Sequence, residues 1–194
     1  MKKVILTDVD GVLLDWNSGF DEYMNFYHIQ QIMSESNRYS LHKRYGSSRR
    51  FMDERVIEFN KSERNERLKP LKDSVEHVTK LAEEGYRFIA VTNVGNDAES
   101  KSRRVKNLTD VFGDVFKEVI CLGIGESKYL TLSRWENSGM FWVEDKFTNA
   151  LDGHSLGLNA ILVDAEYNRD FQTSRFPRVS STEPWKEIYS LIKT

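Results

Sequence analysis

Cysteine is almost absent from the sequence, in which Cys121 is the single thiol among 194 residues. One thiol cannot form an internal disulfide, and because Cys121 ends an apolar run, we expect it to be buried. Charge of one sign is also lacking, since 28 Lys and Arg residues face 30 Asp and Glu residues, for a formal net charge of -2 at pH 7. This balance argues against a protein whose main task is to coat nucleic acid.

Long hydrophobic runs are missing as well, because no stretch of the sequence approaches the length of a transmembrane helix. The apolar run that begins at Val4 is interrupted by Asp8 and Asp10 before the hydrophobic region of a signal peptide could form. We therefore expect a cytoplasmic protein that does not associate with membranes.

Hydrophobic residues make up 39% of the sequence and aromatic residues 12%, a composition that favours a folded globular protein. Its 194 residues suffice for one α/β domain with a modest insertion. Five short apolar runs, each bounded by polar residues or glycine, predict buried strands at 4–7, 87–92, 118–122, 140–143 and 159–163.

Helical patterns alternate with these strands at 73–84, 97–112, 127–137, 147–156 and 184–192. Asp73 is expected to cap the first of these helices, with Glu76 three residues further on, and Gly85 is expected to end it. The alternation predicts an α/β fold with a Rossmann-like core, in which helices flank a parallel sheet of about five strands.

Residues 17–69 contain no strand pattern and predict two or three helices inserted after the first strand. Ligands of open α/β sheets bind beyond the carboxyl ends of the strands, so an insertion that leaves from this edge would lie over the site as a cap. We expect a core of residues 1–16 and 70–194 and a helical cap of residues 17–69.

Polar residues at the predicted carboxyl ends of the strands carry the chemistry. They form four groups, which are Asp8-Val9-Asp10-Gly11, Thr92-Asn93, Lys128 and Glu144-Asp145. An isolated acidic pair is most often a solvated turn and an isolated lysine most often a surface residue. In order and placement, however, the four groups closely resemble the motifs of the haloacid-dehalogenase superfamily. These motifs are a strand followed by Asp-x-Asp-Gly-Val, a Thr or Ser ending a core strand, a Lys, and an acidic pair.

The resemblance implies a magnesium-dependent phosphatase. Asp8 would be the nucleophile that forms an aspartyl-phosphate, and Asp10 would act as general acid and then as general base. The ligands of Mg²⁺ would be Asp8, the backbone carbonyl of Asp10, and Asp145. Glu144 would be a further ligand or would orient a coordinated water, and Asn149 would support the metal shell. The residues that bind the phosphate would be Thr92, Asn93 and Lys128. The four histidines show no metal-binding spacing, and we expect them to be structural or exposed.

Within the superfamily, the segment from Asp10 to Phe20 is most similar to the 5'(3')-deoxyribonucleotidases, and so is the late Trp185-Lys186-Glu187-Ile188. This resemblance implies a small phosphorylated substrate such as a (deoxy)nucleoside monophosphate. Aromatic rings of the insertion would then either stack on a base or pack the cap, and packing is more common for any one ring. The rings concerned are Trp16, Phe20, Tyr23, Phe26 and Tyr27.

Three other functions remain open. The first is a phosphatase or phosphomutase for sugar phosphates, and the second is a non-catalytic binding protein on the same fold. The third is a polynucleotide end phosphatase, which would bind a nucleic acid strand end through the basic cluster of His42-Lys43-Arg44 and Arg49-Arg50. The same cluster is otherwise an ordinary solvated face.

Overall fold

The computed structural model of the protein describes residues 3–32, 40–172 and 174–194. Within them, one sheet contains six strands: β1 (Val4–Thr7), β2 (Arg87–Thr92), β3 (Phe116–Cys121), β4 (Phe141–Glu144), β5 (Asn159–Val163) and β6 (Arg178–Val179). Their order across the sheet is β3-β2-β1-β4-β5-β6, and every neighbouring pair is parallel. The carboxyl ends of all six strands therefore share one edge, and β1 lies near its middle.

Both faces of the sheet are covered, which explains why the strands are continuous apolar runs. Successive residues of a strand point to opposite faces. In β1, Ile5 belongs to one buried cluster and Leu6 to the other, and in β2 the same alternation separates Phe88 from Ile89.

The described residues form eight α-helices: α1 (Trp16–Phe26), α2 (Leu41–Arg44), α3 (Arg49–Lys61), α4 (Ser74–Glu83), α5 (Ala98–Phe112), α6 (Tyr129–Leu132), α7 (Phe147–Ser155) and α8 (Pro184–Lys193). Acidic caps define where two of them begin. The carboxylates of Asp15 and Asp97 accept hydrogen bonds from the backbone amides of Ser18 and Ser100, each at 3.1 Å, at the starts of α1 and α5.

The predicted α/β fold with helices on both faces of a parallel sheet is confirmed. Gly85 ends α4 as predicted, with a φ of 87° that favours glycine. The predicted cap of α4 is wrong, because the Asp73 side chain makes no bond to that helix and instead accepts the backbone amide of Lys186 at 2.9 Å. Cys121 is partly buried, and burial raises the pKa of its thiol to about 11.

The predicted strands 118–122 and 140–143 are shifted by one or two residues in β3 and β4, and two other elements differ more. The predicted helix 127–137 is shorter, since α6 has four residues and a 3₁₀ turn follows at Ser133–Trp135. The two-residue strand β6 was not predicted, because so short a segment shows no period.

Helices α1, α2 and α3 and a 3₁₀ turn at Asn65–Arg67 lie between β1 and β2; we call residues 16–67 the α1–α3 segment. No ladder strand occurs among its described residues, and residues 33–39 lie outside the described part. Phe20 and Phe59 meet edge to face with centroids 5.4 Å apart, and both belong to the buried cluster that contains Ile5 and Val9. The α1–α3 segment therefore shares a core with one face of the sheet. Of the helices in the described ranges, none combines the length and the apolarity that a bilayer crossing requires.

Candidate active site

The loop after β1 carries Asp8 and Asp10 to the edge where the parallel strands end. Asp8 is 8% exposed, and its Oδ1 accepts the backbone amide of Val9 at 2.6 Å. The buried indole of Trp185, in α8, donates to the carbonyl of Val12 at 2.8 Å. The C-terminal helix thus holds this loop against the sheet.

Lys128 is a buried cation between two carboxylates. It immediately precedes α6 and is 1% exposed, and its Nζ lies 2.6 Å from Asp8 Oδ2 and 2.9 Å from Glu144 Oε2. Burial raises the pKa of Asp8 to about 7; Glu144 adds to this shift and Lys128 opposes it. Although burial has the opposite effect, the charges of Asp8 and Glu144 keep the pKa of Lys128 above its ordinary value. Lys128 is therefore positively charged wherever the protein is folded near neutral pH.

Both carboxylate oxygens of Glu144 are occupied by donors. Its Oε1 accepts the backbone amides of Asp145 at 3.1 Å and Lys146 at 2.9 Å. Its Oε2 accepts Lys128 Nζ at 2.9 Å and Asn149 Nδ2 at 3.2 Å. Glu144 therefore fixes the turn after β4 and the position of Lys128, and Asn149 contacts Glu144.

Asp145 lies against the β1 loop and is 6% exposed. Tyr167 donates its hydroxyl to Asp145 Oδ2, and Asn168 Nδ2 donates to the Asp145 carbonyl at 2.6 Å. Gly11 makes the close approach possible, because a Cβ at this position would lie 2.0 Å from Asp145 Oδ2. Burial raises the pKa of Asp145 to about 6, and the charge of Asp8 adds to this shift.

Three buried carboxylates therefore surround one point at the sheet edge. Oxygens of Asp8, Glu144 and Asp145 all lie within 4.8 Å of one another. Lys128 is the cation that contacts two of them. Negative charge is in excess, and this is the electrostatic setting in which a divalent cation is favourable.

Asp10 pairs with an arginine that the sequence analysis did not single out. Arg104, in α5, is fully buried, and its Nη2 lies 2.7 Å from Asp10 Oδ1 and 3.0 Å from Oδ2. Burial raises the pKa of Asp10 to about 6, although Arg104 opposes the shift. A carboxyl group with a pKa near 6 can both give and take a proton close to neutral pH.

Thr92 and Asn93 end the neighbouring strand β2. Thr92 is fully buried, and its Oγ1 has no hydrogen-bond partner among the described residues. Asn93 Nδ2 donates to the carbonyls of Gly123 and Glu126, both at 2.9 Å, and so anchors the loop after β3. Buried hydroxyls are normally satisfied, so the one on Thr92 favours a ligand oxygen at this edge.

A cavity of about 250 Å³ brings these groups together. Of the predicted site residues it is lined by Asp8, Asp10, Thr92, Asn93 and Asp145, with Glu144 also in its wall. Lys128 does not line the cavity but contacts Asp8 and Glu144, which do. A wider groove of about 790 Å³ runs along α1 and residues 62–69 and contains none of the four motifs. The chemistry is therefore concentrated at the smaller cavity.

The aromatic rings of the α1–α3 segment have different surroundings. Trp16 lines the 250 Å³ cavity, together with Leu41. Phe20 and Tyr23 are buried in the core. Tyr27 lines the wider groove, and Phe26 is 60% exposed. Of the five rings considered as base-stacking candidates, Trp16 is therefore the one in the cavity wall.

The basic cluster is not a continuous exposed surface. Arg44 is 3% exposed and forms an ion pair with Asp21. Arg50 is exposed but pairs with Glu54 at 3.1 Å. Arg44 is thus a buried structural residue, which corrects its assignment to a solvated or ligand-attracting face.

Two residues at the site, Arg104 and Tyr167, were missed from sequence. Arg104 lies in the run KSRRVK, which has the pattern of an ordinary solvated helix face, so no local signal distinguishes it. Tyr167 follows the carboxyl end of β5, and a search of every strand end for polar side chains would have found it.

No family model matches the chain. A curated protein of Enterobacteria phage T4, described as an uncharacterized 32.4 kDa protein in the Gp30-rIII intergenic region, is 32% identical over 133 residues. The match covers 66% of this chain and 48% of the phage protein. The chain therefore matches about half the length of that relative.

Solved structures align with nearly the whole chain. A haloacid dehalogenase-like hydrolase of Streptococcus pneumoniae is 11% identical, with a TM-score of 0.64 over 99% of this chain and 100% of that one. An L-2-haloacid dehalogenase of Xanthobacter autotrophicus, with chloropropionic acid covalently bound, is 14% identical, with a TM-score of 0.64 over 100% and 99% of the two chains. CbbY of Rhodobacter sphaeroides, in complex with phosphate, is 15% identical, with a TM-score of 0.60 over 95% and 96%.

The chain therefore has the haloacid-dehalogenase fold, as the sequence motifs led us to expect. These structural neighbours are hydrolases of that superfamily and include dehalogenases. The resemblance to the deoxyribonucleotidases stays a prediction.

Proposed function

We propose that this protein is a Mg²⁺-dependent phosphomonoesterase that works through an aspartyl-phosphate on Asp8. The observation that carries the proposal is the 2.6 Å contact between Lys128 and Asp8 beside the buried carboxylates of Glu144 and Asp145. A carboxylate nucleophile and further acidic groups line one cavity, and a fixed cation contacts the nucleophile; together they provide for attack, metal binding and charge compensation. Since Trp16 and Leu41 line that cavity, the α1–α3 segment is proposed to act as its cap.

The chemistry of the donor set fits magnesium. Carboxylate and carbonyl oxygens are the ligands this ion prefers, and Asp8, Asp145 and the backbone carbonyl of Asp10 would hold it. Glu144 fits the role of a ligand less well, because each of its oxygens already accepts two hydrogen bonds. A bound magnesium ion would supply positive charge that offsets the phosphate oxygens and the crowded carboxylates.

In the proposed reaction, one oxygen of Asp8 bonds to phosphorus while the bond from phosphorus to the ester oxygen breaks. Asp10 gives its proton to that departing oxygen. Water then attacks the aspartyl-phosphate, Asp10 takes a proton from the water, and the bond between Asp8 and phosphorus breaks to release phosphate. Lys128 stays bonded to Asp8 and offsets its charge, and the Thr92 hydroxyl would hold a phosphate oxygen.

The presence of Asp10 in the cavity supports hydrolysis of a phosphate ester over cleavage of a carbon–halogen bond. A halide ion leaves without a proton, whereas an alkoxide leaves far more easily when an acid protonates it. The pKa of Asp10, raised to about 6 chiefly by burial, suits a proton donor in the same cavity as the nucleophile. A dehalogenase would need such a group only as a base for water, because its halide leaves unprotonated.

A (deoxy)nucleoside monophosphate is the first candidate substrate, because Trp16 offers an aromatic surface at the cavity. Sugar phosphates are the second candidate, since the cavity wall also contains the polar residues Asn17, Glu126 and Lys146. A polynucleotide end phosphatase has less support, because Arg44 of the proposed basic cluster is buried.

The proposal is tested by assaying 4-nitrophenyl phosphate, nucleoside monophosphates, sugar phosphates and 2-chloropropionate with Mg²⁺ and with chelator. We expect phosphate release that requires Mg²⁺ and no halide release. The Asp8→Asn variant should lose activity by about a thousandfold or more, because an amide cannot attack phosphorus. Asp53→Asn is the matched control, since Asp53 is exposed on α3 and should not affect turnover. Unchanged turnover in a folded Asp8→Asn protein would refute the mechanism.

A further inference from the structure

Arg104 is the largest fully buried charged side chain of the described residues. Its Nη2 contacts both oxygens of Asp10, at 2.7 and 3.0 Å. The same nitrogen donates to Asn65 Oδ1 at 3.2 Å. The remaining guanidinium nitrogens, Nε and Nη1, have no hydrogen-bond partner within the described ranges. Burying a guanidinium is costly unless it is paired, so Asp10 and Asn65 are the contacts that account for its position.

Asn65 connects this pair to the α1–α3 segment. Its Nδ2 donates to the carbonyl of Asn60, the second-last residue of α3, at 3.0 Å. Asn60 in turn accepts the Trp16 indole at 3.0 Å and donates to the carbonyl of Val94, beyond β2, at 2.9 Å. Asn60 and Asn65 are both buried. A chain of hydrogen bonds thus runs from the cavity wall at Trp16, through the α1–α3 segment, to Asp10.

We propose that Arg104 is a positioning residue for Asp10, and that it holds the Asp10 carboxylate in a direction set by the docked α1–α3 segment. This inference rests on the proposed function, in which Asp10 transfers the proton. Arg104 does not line the cavity, so it acts through Asp10 and not on the substrate. A small error in the direction of a catalytic group lowers the reaction rate strongly, because proton transfer requires hydrogen-bond geometry to the departing oxygen.

The burial of Arg104 is not explained by a need to attach the α1–α3 segment to α5. The neighbouring Arg103 already joins α5 to the same 3₁₀ turn, since its Nη1 lies 2.9 Å from Glu66 Oε2. Arg103 makes no contact with Asp10 and is partly exposed. Arg103 therefore attaches the α1–α3 segment without contacting Asp10, whereas Arg104 contacts Asp10. A variant of Arg103 is the matched control for a variant of Arg104.

The test compares kcat/KM for benzyl phosphate, whose leaving group needs protonation, with that for 4-nitrophenyl phosphate, whose leaving group does not. Arg104→Met should lower the first by about 10- to 100-fold and the second less than about threefold. Arg103→Met should change both esters by the same factor. Arg104→Lys, which keeps a cation, should recover part of the loss on benzyl phosphate. An equal loss on the two esters in Arg104→Met would overturn the proposal.

A crystal structure of Arg104→Met gives the second readout, and it does not depend on activity. We expect the Asp10 carboxylate to turn away from its present direction, and an unmoved Asp10 would overturn the proposal. If Arg104→Met does not fold, Arg104→Gln, which also removes the cation, takes its place in both measurements. If the wild-type protein hydrolyses neither ester with Mg²⁺, the proposed function fails, and the direction of Asp10 in the variant alone decides whether Arg104 positions it.

Discussion

Trp16 and Phe20 are stacked in α1 with ring centroids 4.8 Å apart and planes 8° from parallel. Phe20 is fully buried, whereas Trp16 is partly exposed and lines the cavity. One face of Trp16 is therefore covered by Phe20, and its contact with a ligand has to come from the remaining surface. Variants of these two residues can therefore distinguish core packing from the proposed contact with substrate.

We expect Phe20→Ala to lower the free energy of unfolding by about 3 to 5 kcal/mol, as is usual for a truncated core aromatic. Its activity should fall equally on all substrates. Trp16→Ala should reduce kcat/KM for nucleoside monophosphates about 5- to 100-fold relative to 4-nitrophenyl phosphate, since base stacking is worth about 1 to 3 kcal/mol.

Trp16→Phe is the control for this comparison, because it keeps a ring and loses the indole bond to Asn60. Urea unfolding and kinetics with both substrates on the three variants decide whether Trp16 contacts the substrate or only packs the core. A uniform loss in Trp16→Ala would withdraw the nucleotide assignment and leave the phosphatase proposal intact.

At the scale of the elements, the loop after β1 and the turn after β4 fit together only because residue 11 is glycine. Gly11 has a φ of 80°, which side chains rarely adopt, and Asp145 Oδ2 occupies the space where a Cβ would project. Residue 11 must therefore both adopt a positive φ and leave space for Asp145 Oδ2. Gly11 thus allows the loop after β1 to approach Asp145 closely.

Gly11→Ala should displace Asp145 and raise the Mg²⁺ concentration needed for half-maximal activity. Gly113→Ala is the matched control, since Gly113 has a φ of 70° and a Cβ added there would meet no atom within 4 Å. The control should cost about 1 to 3 kcal/mol of stability through backbone strain alone, with no change in the Mg²⁺ requirement. Equal Mg²⁺ requirements in the two variants would show that the contact with Asp145 does not matter.

The sequence predicted best those strands in which nearly every residue is buried. Strands covered on both faces give continuous apolar runs, so β1, β2 and β5 were predicted with their observed bounds. The cap of α4 failed because a partner 113 residues away, the backbone amide of Lys186, takes the Asp73 carboxylate. Local patterns contain no information about such long-range competition.

The same distinction applies to the candidate site. Asp8, Thr92 and Asp145 were predicted to lie together because parallel strands end at one edge, and the structure brings them to one cavity. Arg104 reaches this edge from the side of a helix, and Arg44 turns inward to Asp21. Side-chain direction on a charged helix depends on the tertiary partner, which the sequence alone does not reveal.

At the scale of the whole molecule, the concentration of buried carboxylates is expected to make stability depend on pH and, under the proposed function, on Mg²⁺. Burial is the main cause that raises the pKa of Asp8 to about 7, and those of Asp10 and Asp145 to about 6, from an ordinary value of 3.8. Between pH 4 and 7 the folded protein therefore binds more protons than the unfolded chain. Stability is then fully present below the unfolded pKa and is lost as the pH rises through the folded values.

In chelator, we expect the free energy of unfolding to fall by up to about 5 kcal/mol between pH 5 and pH 8 through these groups. Mg²⁺ should reverse the loss, because it competes with protons for the same oxygens and binds the folded protein alone. At a hundredfold excess over its dissociation constant it should add about 2.7 kcal/mol, and the gain should be larger at pH 8 than at pH 5. Urea unfolding with Mg²⁺ or chelator at both pH values measures these changes in the free energy of unfolding.

Asp145→Asn should be less sensitive to pH in chelator and should lose most of the Mg²⁺ increment, whereas Asp53→Asn should behave as wild type. An increment that is independent of pH, or that survives in full in Asp145→Asn, would mean that the ion does not bind at this cluster.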